Sequence, residues 1–452
     1  MQTHFPSGSD SDPGVGLRLA PFRGVRYDLS RVAGLANVTS PPYDVIGPGS
    51  LERLLAASPY NVVRLILPAG APGGASSGEA ASGEAASDEA AAGRLHEWLA
   101  EGVLAEDDPP ALYVYEQRAA DWVQRGLIGL VAVGTDAVHP HEGVMAGPVA
   151  GRRELMKKTR SNLEPILLVY NGGAGTGGCG AGGRGRLAAT GDASRLTDLT
   201  AEGQAPLACA VTDDGVTHRL WAVTDPGTQA AIAADLSTRT ALIADGHHRY
   251  AAYRELRAEM SDDDGDPGPW DYGLAFLVDA DEYPLRLGAI HRVLPRLPLT
   301  EAVDRASEAF TVTAETAATA LDRLAAARES GPAFLLAGTE GYWLLTDPDQ
   351  RQVEAAMPAA ASQRWRALDA SVMQELLLAR LWLIKDNERD VLISHDAAEA
   401  VRMAADSGGT AVICNPMPLA AVMDIAAHGE KVPRKSTSFG PKPRTGLVLR
   451  TI

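Results

Sequence analysis

The chain has 452 residues, 45% hydrophobic and 22% charged, an ordinary composition for a folded protein of two domains or of one large domain with insertions. Its formal net charge of −17 argues against nucleic-acid binding as the main function. Cys179, Cys209 and Cys414 are too far apart for a disulfide framework or a cysteine metal site, and no apolar run of about 18 residues predicts a membrane span. Met1–Gly14 is polar and lacks the apolar core of a signal peptide, so a cytoplasmic protein is expected.

Residues 1–15 are expected to be disordered. Order begins near Leu17, and the prolines of Ser40-Pro41-Pro42-Tyr43-Asp44 forbid a helix across that stretch. A helix over 51–57 and a strand over 62–67 follow. Residues 69–92 and 172–187 are Ala/Gly-rich insertions, the first turning helical toward Leu95 and Trp98, and 262–268 is an acidic turn. Strands are predicted at 111–117, 126–133, 166–170, 218–223, 241–244, 273–278 and 285–290. Helices are predicted at 152–159, 230–236 and 250–260. Beyond a boundary near 298, helices at 302–308, 316–328, 368–383, 397–403 and 419–428 alternate with strands at 333–336, 341–345 and 410–414. The whole reads as a mixed α/β (α+β) fold: a core over 16–298 and a C-terminal α+β region over 299–452.

The most informative segment is Ala244-Asp245-Gly246-His247-His248-Arg249-Tyr250, an apolar strand that turns at glycine into a helix. A helix N-terminus favours anions, and Asp245 suits a divalent cation. An ordinary Asp-Gly turn with a solvated His pair is the plain alternative. Other polar groups also sit at predicted strand ends. Glu116 is a candidate base or metal ligand. His141 and Glu142 are candidate metal ligands, followed by a basic helix containing Arg152, then Asn162. His291 and Arg292 follow a strand, Asn415-Pro416 ends another, and Lys435, Ser436, Thr437 and Lys442 gather cations and hydroxyls suited to phosphate. There is no Gly-x-Gly-x-x-Gly after a strand, no Walker A loop, no Gly-x-Ser-x-Gly and no His-Glu-x-x-His.

Over nearly its whole length the sequence resembles the family catalogued as domain of unknown function 1015. The segments that carry the likeness include Pro21-Phe22-Arg23-Gly24, Ser40-Pro41-Pro42-Tyr43-Asp44-Val45-Ile46, Tyr113-Val114-Tyr115-Glu116-Gln117, Asn162-Leu163-Glu164-Pro165, His291-Arg292, Asn415-Pro416 and Lys435-Ser436-Thr437. Asp245-Gly246-His247-His248-Arg249 also resembles the phosphate motif of ParB-like free-serine kinases. That likeness implies a ParB-like nucleotide-binding core with Mg2+ and a nucleoside di- or triphosphate as cofactors. It implies a phosphotransferase acting on a small hydroxylated metabolite, free serine included. In this reading Glu116 is the base; Asp245, helped by Glu142 and His141, holds metal. His247, His248 and Arg249 clamp phosphate, with Gly246, Arg152, Asn162, His291, Arg292, Lys435, Ser436, Thr437 and Lys442 around it. A metal-dependent phosphohydrolase and a non-catalytic nucleotide-binding regulator are the alternatives. The partners expected are small molecules, with neither nucleic acid nor membrane, and the oligomeric state stays open.

Overall fold

A computed structural model describes residues 16–67, 80–173, 191–260, 268–387 and 389–452. The expected disordered start, most of the glycine-rich insertion, the 262–268 turn and the beginning of the 69–92 tract therefore lie outside the described residues. Contacts divide the chain into two units. One comprises Met1–His139, Val144–Leu285 and Pro441–Ile452, and the other Pro140–Gly143 and Arg286–Gly440. In this division the break falls after Leu285 rather than after residue 298, and the C-terminal segment returns to the first unit.

The first unit is built on a nine-stranded mixed sheet. Its strands are β1 (Leu19–Ala20), β2 (Leu112–Arg118), β3 (Val123–Ala132), β4 (Val138–His139), β5 (Ile166–Tyr170), β6 (Ala208–Val211), β7 (Thr217–Val223), β8 (Ala241–Asp245) and β9 (Tyr272–Asp279). The order is β4-β8-β5-β9-β3-β2-β7-β6, with β1 also paired to β3. β8 runs parallel to β4 and β5 parallel to β9; the other pairs are antiparallel. β5, β8 and β9 are buried along their whole length, which explains their unbroken apolar character in the sequence. Five helices accompany the sheet: α1 (Ala80–Ala100), α2 (Ala146–Thr159), α3 (Asp192–Gly203), α4 (Pro226–Leu236) and α5 (His247–Met260). Tyr250, Tyr253 and Leu256 of α5 share one core with Ile166, Leu168, Ile243 and Ala275. Each such side chain contributes roughly 1.5–3 kcal/mol by leaving water, so the start of α5 is fixed against β5 and β8.

One predicted strand is absent. Asn61-Val62-Val63-Arg64-Leu65-Ile66 forms a short helix over Val63–Ile66. The Asn61 side chain accepts the Val63 amide at 2.9 Å and donates to the Asn37 carbonyl at 2.8 Å, while Val62, Val63, Leu65 and Ile66 are all buried. The side-chain bonds and burial on every side outweigh the β-branched preference.

The second unit has a six-stranded sheet made of β10 (His291–Leu294), β11 (Thr311–Glu315), β12 (Phe334–Gly338), β13 (Gly341–Thr346), β14 (Leu392–Ser394) and β15 (Thr410–Cys414). It is antiparallel throughout, in the order β11-β13-β12-β15-β10-β14. The predicted strand over 285–290 is replaced by two short strands, Arg286–Gly288 and β10. The predicted helix over 368–383 is an α-helical turn, Asp369–Val372, that continues as a π-helix over Met373–Leu381. Its buried face joins Leu376, Leu377 and Leu378 to Phe334 and Val412.

His218 on β7 illustrates how the interior sets protonation. Tyr115 Oη lies 2.8 Å from its Nδ1 and Thr212 Oγ1 3.2 Å from its Nε2. Burial, with Arg444 nearby, pushes its pKa down to about 4 against the pull of Asp214. An unfolded chain takes that proton near pH 6.5, so the contribution of neutral His218 is full above pH 6.5 and is lost as pH falls toward 4. A His218→Gln variant should therefore lose less stability than the native protein between pH 7 and pH 4.5 in urea unfolding. Identical pH dependence in the two proteins would contradict the assignment.

Candidate functional site

The Asp-Gly bend of the first unit is constructed by three local features. The β8–β5 register shifts between Ile243 and Asp245, so Ala244 is skipped and Asp245 pairs with Leu167. Gly246 has φ of +91°, and a Cβ there would lie 2.9 Å from Ile166 Cγ2 and 3.1 Å from Arg249 Nε. Helix α5 then starts at His247, with the Tyr250 amide donating to the Gly246 carbonyl at 2.9 Å. Its first turn points the positive end of the helix dipole at the bend.

Asp245 carries two cations. Arg249 Nη2 is 2.6 Å from its Oδ2, and Lys442 Nζ is 2.7 Å from its Oδ1. The same ammonium is 2.5 Å from Asp44 Oδ2. Burial alone would lower the Lys442 pKa; Asp245 and Asp44 outweigh it and hold the ammonium well above the ordinary lysine range. Arg249 donates its other terminal nitrogen to the Pro165 carbonyl at 2.6 Å. Next to it, Glu164 accepts the Tyr43 amide at 3.1 Å and the Thr445 hydroxyl at 3.3 Å. Burial pushes the Glu164 pKa up, against Arg249 and Arg152. The Arg152 guanidinium is centred 4.3 Å from the Tyr43 ring and donates to the Ile66 carbonyl at 2.8 Å. Three carboxyl groups (Asp44, Glu164, Asp245) and three cations (Arg152, Arg249, Lys442) thus form one group within the first unit. Asp44 is its solvent-exposed carboxylate.

The expected residues divide as follows. Asp245, Gly246, Arg249, Arg152 and Lys442 come together. His247 and His248 open α5, and His248 Nε2 accepts the Met145 amide at 3.2 Å, which fixes that nitrogen as an acceptor. Arg249, expected to clamp phosphate, is 2% exposed; its two terminal nitrogens hold Pro165 and Asp245, so it positions the aspartate, and its Nε has no hydrogen-bond partner. Asn162 is also spent, its Oδ1 accepting from Arg450 at 3.0 Å and from the Leu274 amide at 3.3 Å.

Glu116 does not join this group. Asp245 shares a register row with Leu167, Phe276, Ile128 and Tyr113 across β5, β9, β3 and β2. Four strand spacings of about 4.8 Å put Tyr113 roughly 19 Å away along the sheet, and Glu116 lies further along β2. It sits directly opposite Arg125 and Arg219, with Oε2 2.5 Å from Arg125, and Oε1 3.1 Å from Arg219 and 3.2 Å from Arg118. Burial would raise its pKa, but Arg118 and Arg125 overcome that and keep it below the ordinary glutamate range. A Glu116→Gln variant should lose about 3 kcal/mol of stability in urea unfolding. Unchanged stability would reverse this reading.

His141, Glu142, His291, Arg292, Lys435, Ser436 and Thr437 belong to the second unit. There His141 Nε2 lies 2.8 Å from Thr437 Oγ1, and Glu142 Oε1 accepts the Lys435 amide at 2.9 Å. Ser436 Oγ donates to the Pro433 carbonyl at 2.6 Å, and His291 Nδ1 accepts the Cys414 amide at 3.2 Å. Burial pushes the Glu142 pKa up and the His291 pKa down to about 4. Among the described residues no three His, Cys, Asp or Glu side chains are grouped to hold a metal ion. The expected set of Asp245, Glu142 and His141 is corrected accordingly: Glu142 accepts a backbone amide and His141 lies against a hydroxyl. Asp44, Tyr43 and Glu164 are site residues that the sequence reading misses; the local signal is a nearby proline, Pro42 for Tyr43 and Asp44 and Pro165 for Glu164.

No helix among the described residues is long and apolar enough to cross a membrane. No curated protein sequence matches the chain significantly. Among solved structures, a free serine kinase variant in complex with AMP is 14% identical with a TM-score of 0.34, covering 68% of this chain and 85% of that one. SbnI with a C-terminal truncation, from Staphylococcus aureus, is 12% identical with a TM-score of 0.34, covering 69% and 82%. A conserved hypothetical protein from Pyrococcus furiosus is 14% identical with a TM-score of 0.31, covering 68% and 88%. Likeness at this level carries no functional argument. A family model does match most of the chain, over residues 19–177 and 187–371, and the chain belongs to the family described as "Protein of unknown function (DUF1015)".

Proposed function

We propose that this chain is a cytoplasmic, nucleotide- and Mg2+-dependent phosphotransferase acting on a small hydroxylated metabolite such as free serine. The observation that supports it is the Lys442 ammonium held between Asp44 and Asp245 beside the start of α5. A helix N-terminus, a lysine and two carboxylates are the components that phosphoryl transfer asks for, because the reaction depends on positioning and charge. Magnesium accepts one or two carboxylates together with phosphate oxygens and water; Asp245 would offer it Oδ1 once Lys442 moves to phosphate, with Oδ2 kept by Arg249. When bound, the ion neutralises the phosphates.

The chain's own residues then have separate tasks. The amides opening α5 receive phosphate oxygens, and Gly246 lets the backbone approach them. Lys442 leaves the carboxylates for the terminal phosphoryl group. Arg249 keeps Asp245 in place. Asp44, the exposed carboxylate, takes over the role expected of Glu116: it accepts the proton of the attacking hydroxyl. The hydroxyl oxygen bonds to the terminal phosphorus, the bridging oxygen bond breaks, and the nucleotide leaves one phosphate shorter. Following ATP and L-serine with Mg2+ by phosphorus NMR should show a phosphomonoester growing as ADP appears. Asp44→Asn should slow transfer at least about a hundredfold with little change in nucleotide affinity. Phosphate released without an acceptor would make the protein a phosphohydrolase, and binding without turnover over a panel of hydroxylated metabolites would make it a regulator.

A further inference from the structure

We infer that the second unit carries a separate binding site for a small monocarboxylate with an apolar body. The unit contains a cavity of about 340 Å3, within the size range of small-molecule sites. Phe334, Met373 and Met417 give it apolar walls, while Arg292, Asn415 and Ser436 give it a polar end.

Arg292 determines the charge of the occupant. It is 1% exposed and lines the cavity. Its terminal nitrogens donate to the Arg434 carbonyl at 3.0 Å and the Ile290 carbonyl at 3.3 Å. Its Nε has no hydrogen-bond partner, and Asp386 and Glu142 act on its charge from a distance without bonding to it. A buried guanidinium bonded only to carbonyls is costly unless an anion completes it. Arg364 pairs with Glu430 and with Asp424. The Asp369 carboxyl accepts the Ala333 amide and faces the charge of Arg328. Arg292 is the fully buried cation of the lining that bonds no carboxylate, and one carboxylate on the occupant supplies that partner. The apolar walls select a carbon skeleton behind that anion. Three sequence segments with no part in the first-unit group, His291-Arg292, Asn415-Pro416 and Lys435-Ser436-Thr437, meet here through Arg292, Asn415 and Ser436.

The test is calorimetric titration of the full chain with hexanoate, 1-hexanol and inorganic phosphate, without nucleotide, so that its outcome is independent of the phosphotransferase proposal. Hexanoate should bind at least about tenfold more tightly than either of the others. Arg292→Gln should weaken hexanoate at least about tenfold, and so should Ala421→Leu, which fills the cavity and leaves Arg292 intact. If Arg292→Gln does not fold, Ala421→Leu decides. Equal affinity for 1-hexanol, tighter binding of phosphate, or full hexanoate affinity in Ala421→Leu would each overturn the inference.

Discussion

Replacing Lys442 by methionine should lower the affinity for Mg·ATP about tenfold to a hundredfold and destabilise the protein by about 2 kcal/mol. The stability loss follows from removing charge-assisted bonds to two carboxylates, neither of which is left without a partner. Lys442 is bonded to both Asp44 and Asp245, so its loss leaves Asp245 with Arg249 and Asp44 with solvent. The affinity loss follows from removing a charge-assisted bond to phosphate, typically about 1.5–3 kcal/mol. Lys442→Arg should restore most of the stability. It should recover less of the affinity, because a planar fork does not replace a compact ammonium between two carboxylates. The pair also predicts a pH response. A lysine whose pKa is raised on folding stabilises the protein fully below its ordinary pKa, and that contribution fades only as pH rises toward the raised value. Stability measured from pH 9 to 11 should therefore fall more steeply in the native protein than in Lys442→Met.

The second large effect is expected at Gly246. Gly246→Ala should cost about 2–3 kcal/mol, a drop of roughly 3–5 °C in the thermal midpoint. Two costs combine. The backbone sits at a φ of +91°, where a side chain is strained. The new methyl also meets Ile166 Cγ2 at 2.9 Å, inside the core that seats α5. Gly246→Asn should be no milder, since the clash with Ile166 begins at Cβ. Circular dichroism melts of the two variants check this, and a native-like midpoint for Gly246→Ala would show that the bend relaxes at little cost.

The bend was legible because its information is local. A glycine after an apolar strand and before a periodic helix specifies Asp245, Gly246 and the start of α5 without reference to anything distant. The longer strands of the first sheet are legible for the same reason, being apolar runs such as Ile166–Tyr170 bounded by polar turns; Leu19–Ala20, Val138–His139 and Ala208–Val211 are too short to show that pattern. The partners of the bend were not legible. Lys442 reaches Asp245 and Asp44 only because the C-terminal segment belongs to the first unit, and no local pattern near residue 442 encodes that. Glu116 failed as a candidate because a carboxylate on a strand reads alike whether it faces a ligand or arginines. Its neighbours, Arg125 and Arg219, are set by cross-strand register. Val62 to Leu67 failed because Asn61 and burial override the β-branched preference. Arg292 reads as one more cation at a strand end; its place on a cavity, with a buried nitrogen lacking an acceptor, is visible only in three dimensions.

Hydrogen–deuterium exchange of the whole protein with and without a saturating non-hydrolysable Mg·ATP analogue tests the central claim most directly. Slowed exchange concentrated at residues 245–250 and 441–445, and lost in Lys442→Met, is the predicted result. Protection that maps instead to the strands around Glu116, or bound nucleotide that leaves the Asp245 bend unprotected, would contradict it.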